Sequence, residues 1–167
     1  MKTVVVYESL WGNTAAIARA IAEGIGQGAL ALSTAEATGA AIGGADLLVA
    51  GAPVLGFRLP DEKMRENIKL NPGRAPAPAD LSHPSMRTWL AGLPKGNGRA
   101  TAFETRLWWS PGGSTAAILR GLQAAGYLPL APARRFIVTG AYGPLRGGEV
   151  ERARRWGLEL GQALIQA

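Results

Sequence analysis

The sequence predicts an α/β protein built on a five-stranded parallel sheet, doubly wound, with helices on both faces. Short apolar runs alternate with longer amphipathic segments, an order typical of βαβ units. The first run, residues 4–6, is valine at every position, as in a strand buried on both faces. The 167 residues contain no internal repeat and no composition break, so we expect one domain over residues 1–167.

Four further apolar runs predict strands because glycine, proline or charged residues bound each of them. They span residues 29–33, 46–53, 99–107 and 134–142. Helices are predicted where apolar residues recur at three- and four-residue spacings. They span residues 14–25, 59–68, 85–93, 114–126 and 150–164. A proline-rich loop, residues 71–84, separates two of these helices, since proline interrupts regular structure.

The composition excludes several classes of protein. The chain has no cysteine, so disulfides, thiolate metal sites and a cysteine nucleophile are excluded. No apolar run approaches the roughly 20 residues that span a bilayer. Met1 leads almost directly into the first strand, without the sections of a signal peptide. We therefore expect a cytoplasmic protein that does not associate with a membrane.

The net charge of +6 is unevenly distributed along the chain. Residues 1–60 carry three basic and four acidic side chains, so the excess of positive charge lies in the remainder. No nucleic-acid reading motif accompanies these basic residues. The charge therefore predicts a solvated, arginine-rich surface, and no nucleic-acid partner is expected.

The segment SLWGNT, residues 9–14, joins the first strand to the first helix and has the properties of an anion site. Gly12 and Asn13 tolerate backbone angles that turn successive N–H groups toward one point. Ser9 and Thr14 add hydroxyl donors, and the helix behind the loop adds the positive end of its dipole. Residues 9–14 include no lysine or arginine. The loop therefore predicts a phosphate site that depends on neutral donors.

Two common phosphate motifs are missing at this position. Without GxxxxGK[ST] there is no lysine for hydrolysis of a nucleoside triphosphate, and without GxGxxG a dinucleotide turn is unsupported. SLWGNT instead resembles the flavodoxin phosphate loop, [ST]-x-[ST]-G-x-T. The YES-x-x-GNT opening, the GAP segment and residues 103–113 and 142–157 resemble flavodoxin-domain proteins of actinobacteria.

This resemblance covers essentially the whole chain and implies a flavodoxin-like fold with strand order 2-1-3-4-5. It also implies FMN bound non-covalently, with its phosphate on the loop at 9–14 and its ring between the loops at 52–57 and 106–113. The residues implied to bind FMN are Ser9, Leu10, Trp11, Gly12, Asn13, Thr14, Pro53, Val54, Leu55, Gly56, Phe57, Arg106, Trp108, Trp109, Gly112 and Gly113.

Two departures from the family pattern affect this site. Trp11 stands where the pattern has Ser or Thr, which removes one hydroxyl donor to the phosphate. Val54 and Leu55 follow Pro53 where polar side chains would bind the polar edge of the ring. Both departures favour weaker FMN binding.

Each of the aromatic and charged residues beside the implied site has two interpretations, one functional and one structural. Phe57, Trp108 and Trp109 are candidates to stack on the ring, or to seal a sheet edge or a dimer face. Arg58 and Arg106 are expected on the solvated surface, the alternative being that they compensate the charge of anionic reduced flavin.

The remaining polar candidates favour structural roles, so no catalytic or metal-binding residues are predicted. His83 has no second histidine with which to form a metal site, and Ser114 is interpreted as a helix N-cap. Tyr142 and Arg146 follow the fifth strand, where loop packing or a partner contact is expected.

The sequence thus predicts an FMN-binding electron carrier. Flavodoxins are strongly acidic, whereas this chain is basic, so we expect a less negative potential and a redox partner protein with an acidic docking face. One alternative is an FMN-dependent NAD(P)H:quinone-type reductase. Another is a flavodoxin-fold protein that has lost FMN and serves as a binding module, as Trp11, Val54 and Leu55 would favour.

Overall fold

Six strands and six helices follow one another in a computed structural model that describes residues 1–167. The strands are β1 (Thr3–Tyr7), β2 (Leu30–Ser33), β3 (Leu47–Pro53), β4 (Arg99–Leu107), β5 (Leu128–Pro129) and β6 (Arg134–Val138). The helices are α1 (Asn13–Ile25), α2 (Gly39–Ile42), α3 (Glu62–Leu70), α4 (Met86–Ala91), α5 (Thr115–Ala124) and α6 (Glu149–Gln166).

All strands are parallel and pair in the order β2-β1-β3-β4-β5, with β6 also paired to β4. β5 lies beside Arg99 and Ala100, and β6 lies beside residues 103–107, so the two occupy successive parts of one edge of β4. Pro129 lies in β5, and Pro132 lies between β5 and β6. A proline interrupts a strand because it has no N–H to donate. The predicted order 2-1-3-4-5 is confirmed, with the fifth position divided in two.

Helices cover both faces of the sheet and form two hydrophobic cores. Successive side chains of a strand point to opposite faces. Val5 therefore packs in the core beneath α1 and α6, together with Ile17 and Trp156. Val4 and Val6 pack in the other core, beneath α2, α4 and α5. The prediction that the first strand is buried on both faces is confirmed, since all three valines are fully buried.

Three elements differ from the sequence prediction, and one of them is the two-residue strand β5, which was not predicted. The strand predicted over residues 134–142 ends at Val138, because the chain turns back there and the amide of Thr139 donates to the carbonyl of Pro144 at 2.9 Å. Helix α2 was not predicted, since its four residues are too few to show an apolar period. The other predicted helices and strands agree with the observed bounds to within three residues.

Close approach of α1 and α6 depends on two glycines. A Cβ at Gly24 would lie 1.9 Å from the carbonyl oxygen of Arg154, and a Cβ at Gly157 would lie 2.2 Å from that of Ile21. Both helices begin at the carboxyl end of the sheet, so their packing fixes where the first turn of α1 lies. None of the helices combines the length and the apolar character that a bilayer crossing requires.

Candidate functional site

A cleft opens at the carboxyl ends of β1, β3 and β4, the edge where parallel α/β sheets bind their ligands. Its cavity volume is about 190 Å³, and the cleft is partly open to solvent. The lining residues are Ser9, Leu10, Trp11, Asn13, Thr14, Pro53, Val54, Leu55, Gly56, Phe57, Thr105, Arg106, Leu107, Trp109, Ser110, Val138 and Ala141.

The structure brings together twelve of the sixteen residues that the sequence indicated, and four lie outside the lining. Gly12, Gly112 and Gly113 shape the loops around the cleft, and Trp108 points away from it into solvent. Three lining residues lie outside the loops that were implied to bind FMN: Thr105, Val138 and Ala141.

The loop between β1 and α1 presents a set of backbone donors that the protein itself leaves free. The amides of residues 10, 11, 13, 14 and 15 have no acceptor within the protein. Gly12 makes the bend with a φ of 93°, and its own amide donates to the hydroxyl of Ser9 at 3.2 Å. Such a group of amides at the start of a helix binds anions. The geometry therefore fits a phosphate.

Two buried hydroxyls stand behind these amides. The Thr14 hydroxyl lies 2.8 Å from the hydroxyl of Thr105 on β4, and both residues are at least 97% buried. One hydroxyl must donate to the other. When Thr105 donates, the hydrogen of Thr14 is free for a ligand in the cleft.

His83 supports the loop at residues 9–14 from behind. Its Nε2 accepts the amide of Ser9 at 3.2 Å, and its Nδ1 lies 3.7 Å from a carboxylate oxygen of Asp80. The Asp80 amide in turn donates to the carbonyl of Leu10 at 2.8 Å. Burial lowers the pKa of His83 below its usual value, an effect that Asp80 partly opposes. The histidine is therefore neutral at pH 7, as its acceptor role requires.

A buried ion pair anchors the same region to α3 and α4. The Glu8 carboxylate accepts from Arg65 at 2.9 Å and from the amide of Met86 at 2.9 Å. Arg65 also donates to the carbonyl of His83. Burial raises the pKa of Glu8 above its usual value, although the amide of Met86 and the Arg65 guanidinium oppose that shift. Glu8 immediately precedes the loop at residues 9–14, so this network fixes the position where the loop begins.

The loop after β3 forms a tight turn. Leu55 and Arg58 exchange two backbone hydrogen bonds of 3.0 and 3.1 Å, and the two residues between them, Gly56 and Phe57, both have positive φ. A positive φ is unusual for a bulky residue such as Phe57, which has a φ of 68°. The carbonyl of Phe57 accepts the amide of Gly113 at 3.0 Å. The loops after β3 and β4 are thereby joined.

An ion pair at the end of β4 lies under these joined loops. Arg106 donates to Glu104 at 2.8 Å, and Arg106 is only 4% exposed. The expectation that Arg106 lies on the solvated surface is therefore wrong. Residues 104 and 106 point to the same face of their strand, which holds both side chains against the start of α5. Arg58, in contrast, is exposed as expected and pairs with Asp61 at 3.0 Å.

Glu104 also accounts for the start of α5. Its carboxylate accepts the amides of Ser114 at 2.6 Å and of Thr115 at 3.1 Å. Ser114 occupies the predicted N-cap position, but its hydroxyl donates to the carbonyl of Pro53 at 2.8 Å and does not cap the helix. The carboxylate of Glu104 thus takes the capping role that the sequence assigned to Ser114.

The three candidate aromatic residues have different positions. Phe57 and Trp109 line the cleft and remain about half exposed, at 53% and 56%. Trp108 is 77% exposed and does not line the cleft. Only Phe57 and Trp109 are therefore positioned to contact a planar ligand there.

Trp11 packs against the loop that follows β6. Its ring meets that of Tyr142 edge-on with centroids 4.8 Å apart, and its indole Nε1 is buried without a hydrogen-bond partner. The side-chain amide of Asn13 donates to the carbonyl of Tyr142 at 3.1 Å. The predicted loop-packing role of Tyr142 is confirmed by these contacts. Arg146 in the same loop pairs with Glu149 at 3.1 Å.

Metal ligands are not assembled near the cleft or elsewhere. No group of three or more His, Asp or Glu side chains lies close enough together to hold a metal ion.

Comparison with known proteins shows similarity in structure only. No protein-family model and no curated protein matches the chain. A flavodoxin from the domain Archaea superposes with a TM-score of 0.68 and 19% identity, covering 99% of both chains. Oxidised flavodoxin 1 from Bacillus cereus gives 0.65 and 17%, covering 97% of this chain and 98% of its own. A WrbA-like flavodoxin from Agrobacterium tumefaciens gives 0.60 and 17%, covering 99% and 98%. The chain therefore has the flavodoxin-like fold.

Proposed function

We propose that this protein binds FMN non-covalently in the cleft and transfers electrons to and from a redox partner protein. The observation that supports this most directly is the set of five free amides, with the Ser9 and Thr14 hydroxyls, at the base of an aromatic-lined cleft. These neutral donors fit a phosphate ester, and more than half of the residues that line the cleft beside them are hydrophobic, which suits a planar ring.

In this proposal, three segments of the chain share the binding of FMN. The phosphate loop would hold the FMN phosphate, and Phe57 and Trp109 would contact the ring. Val54 and Leu55 would supply apolar contact rather than side-chain hydrogen bonds. Bound FMN supplies the one- and two-electron chemistry, and the protein contributes binding, orientation and electrostatics. No catalytic residue is needed for this role.

The redox partner is proposed to carry an acidic docking face. The net charge of +6 supports this, since complementary charge steers the encounter of two proteins. The association rate with an acidic electron-transfer protein should fall as salt is added, because exposed charges are screened over about 10 Å at 0.1 M ionic strength.

The test is the visible spectrum of the purified protein with and without added FMN, together with a titration that follows quenching of FMN fluorescence. Neighbouring tryptophans provide a matched pair of variants. Trp109→Ala removes an aromatic side chain that lines the cleft and should weaken FMN binding at least several-fold. Trp108→Ala removes one that does not line it and should leave the affinity within twofold of wild type. Equal losses in both variants would contradict the proposed position of the ring.

A second candidate, an FMN-dependent NAD(P)H:quinone-type reductase, is favoured by a groove next to the cleft. The groove contains about 290 Å³ of space between α3 and the loop at 139–142. It shares Trp11, Leu55 and Ala141 with the cleft, so a second substrate would lie beside the ring. Steady oxidation of NAD(P)H with a quinone present would identify a reductase, and a carrier would show none.

The third candidate, a binding module without FMN, predicts a different result in the same titration. A colourless protein that fails to quench FMN fluorescence at any concentration would contradict both flavin-based functions. The phosphate loop would then be a retained feature of the fold.

A further inference from the structure

Arg106 is the only basic residue that lines the cleft, and its side chain is 3% exposed. Burial of a guanidinium removes it from the water that screens exposed charges. A charge held in this way acts more strongly on a ligand beside it than a surface charge does. Arg106 is therefore a buried positive charge at the edge of the cleft.

The hydrogen bonds of Arg106 leave one of its amino groups free. A guanidinium has five N–H donors. Nη1 donates to Glu104 at 2.8 Å and to the carbonyl of Gly112 at 2.8 Å, and Nε lies 3.4 Å from the carbonyl of Leu107. Nη2 has no acceptor in the protein, and unlike the indole nitrogen of Trp11 it is not sealed from solvent. Two donors thus remain for a ligand.

The counter-charge of Arg106 is shared with another group. The same Glu104 carboxylate accepts the amides of Ser114 and Thr115, at the positive end of the α5 helix dipole. Because one carboxylate serves both the helix terminus and the guanidinium, it offsets the positive charge of Arg106 only in part. The cleft is left with a net preference for negative charge.

From these observations we propose that Arg106 gives the cleft a preference for reduced FMN, through donation from Nη2 to the part of the ring that becomes negative on reduction. This inference rests on the proposed FMN binding and specifies the charge selectivity of the same site. Tighter binding of the reduced form than of the oxidised form makes the midpoint potential of the bound flavin less negative than that of free FMN.

The test measures dissociation constants for oxidised and for reduced FMN, together with the midpoint potential, in four proteins. In the wild type the reduced form should bind more tightly than the oxidised form. Arg106→Gln should lower the ratio of the oxidised to the reduced constant at least tenfold, which for a two-electron couple is a shift of about 30 mV toward more negative potential. Glu104→Gln should move the ratio in the opposite direction, because it removes the counter-charge and leaves Arg106 in place.

Arg58→Gln is the matched control. It removes the same charge from an exposed side chain, 59% accessible, that pairs with Asp61 on the rim. We expect its ratio to stay within twofold of the wild type. Equal shifts in Arg58→Gln and Arg106→Gln would overturn the inference, since they would mean that net charge and not the buried donor sets the preference.

The outcomes separate this inference from the proposed function. If the wild type binds FMN equally well in both oxidation states, or if Arg106→Gln leaves the ratio unchanged, the inference is overturned while FMN binding stands. If the wild type binds neither form, both are overturned. Should Arg106→Gln fail to fold, Glu104→Gln decides by the sign of its shift.

Discussion

The replacement of Thr14 by valine tests the proposed phosphate site with the smallest change of shape. Valine keeps the branched side chain and removes the hydroxyl that lies 2.8 Å from that of Thr105. If the Thr14 hydroxyl donates to the FMN phosphate, its removal deletes a hydrogen bond to a charged group, worth about 1.5–3 kcal/mol. The dissociation constant of FMN should therefore rise roughly 10- to 150-fold.

The same variant has a predicted effect on stability without any ligand. Thr105 is left with a hydroxyl that is 97% buried and has lost its partner. An unsatisfied buried group of this kind costs about 1–3 kcal/mol. Urea unfolding of Thr14→Val should show a loss in the free energy of unfolding within that range.

Thr105→Val is the matched control, because it breaks the same hydroxyl pair from the other side. Its stability should fall by a similar amount, but the Thr14 hydroxyl remains available to the phosphate. We expect its FMN affinity to fall less than tenfold, since only the orientation of Thr14 is affected.

Fluorescence titrations with FMN and with riboflavin complete the test. Riboflavin lacks the phosphate, so Thr14→Val should leave its affinity unchanged while that for FMN falls. A parallel loss for both ligands would refute the reasoning, because it would show that the variant acts through the shape of the cleft. Equal FMN losses in Thr14→Val and Thr105→Val would refute it as well.

Two further predictions concern stability. Burial lowers the pKa of His83 in the folded protein, so protonation below pH 6.5 favours the unfolded chain. The free energy of unfolding should therefore fall by up to about 1.4 kcal/mol for each pH unit, until the pH reaches the pKa of the folded state. Urea unfolding between pH 7.5 and 5 should show this loss of stability in the wild type. His83→Gln, which keeps a hydrogen-bond acceptor but does not titrate, should not show it, and identical pH profiles for the two proteins would contradict the prediction. Gly157→Ala puts a methyl group 2.2 Å from the Ile21 carbonyl and should lower the free energy of unfolding by about 3 kcal/mol. In Gly161→Ala the nearest neighbour of the new methyl group is 3.3 Å away, so the free energy of unfolding should change by less than about 1 kcal/mol. Similar losses of stability in the two variants would exclude a clash between α1 and α6 as the cause.

The order of elements was predictable because each depends on a local pattern. The three consecutive valines of β1 and the four-residue recurrence of Ile17, Ile21 and Ile25 are complete within short segments. The division of the fifth strand position was less visible. Its cause, the prolines at 129 and 132, stands in the sequence, but only the pairing of β5 and β6 with the same edge of β4 shows its effect.

The site was predictable where it depends on one loop and not where it depends on distant pairs. The bend of the loop at residues 9–14 follows from Gly12, whereas its support by His83 joins residues 74 positions apart and leaves no local signal. Arg106 was assigned to the surface because most arginines lie there. The E-T-R segment at 104–106 did carry a signal, since opposite charges two residues apart in a strand lie on the same face. Thr105, between them, necessarily points to the other face, toward Thr14.

The packing of Trp11 affects how well a loop that lacks one hydroxyl donor would bind a phosphate. The missing hydroxyl removes one donor, but the five free amides and the hydroxyls of Ser9 and Thr14 remain. The indole also packs on Tyr142, which ties the loop to the segment after β6. A more firmly held backbone acts in the opposite direction to the lost donor, because pre-ordered amides lose less entropy when a ligand binds. The phosphate end of the cleft would then rely on neutral amides and the ring end on the charge of Arg106. Selectivity for the phosphate and preference for an oxidation state would therefore reside in different loops, where substitutions affect them separately.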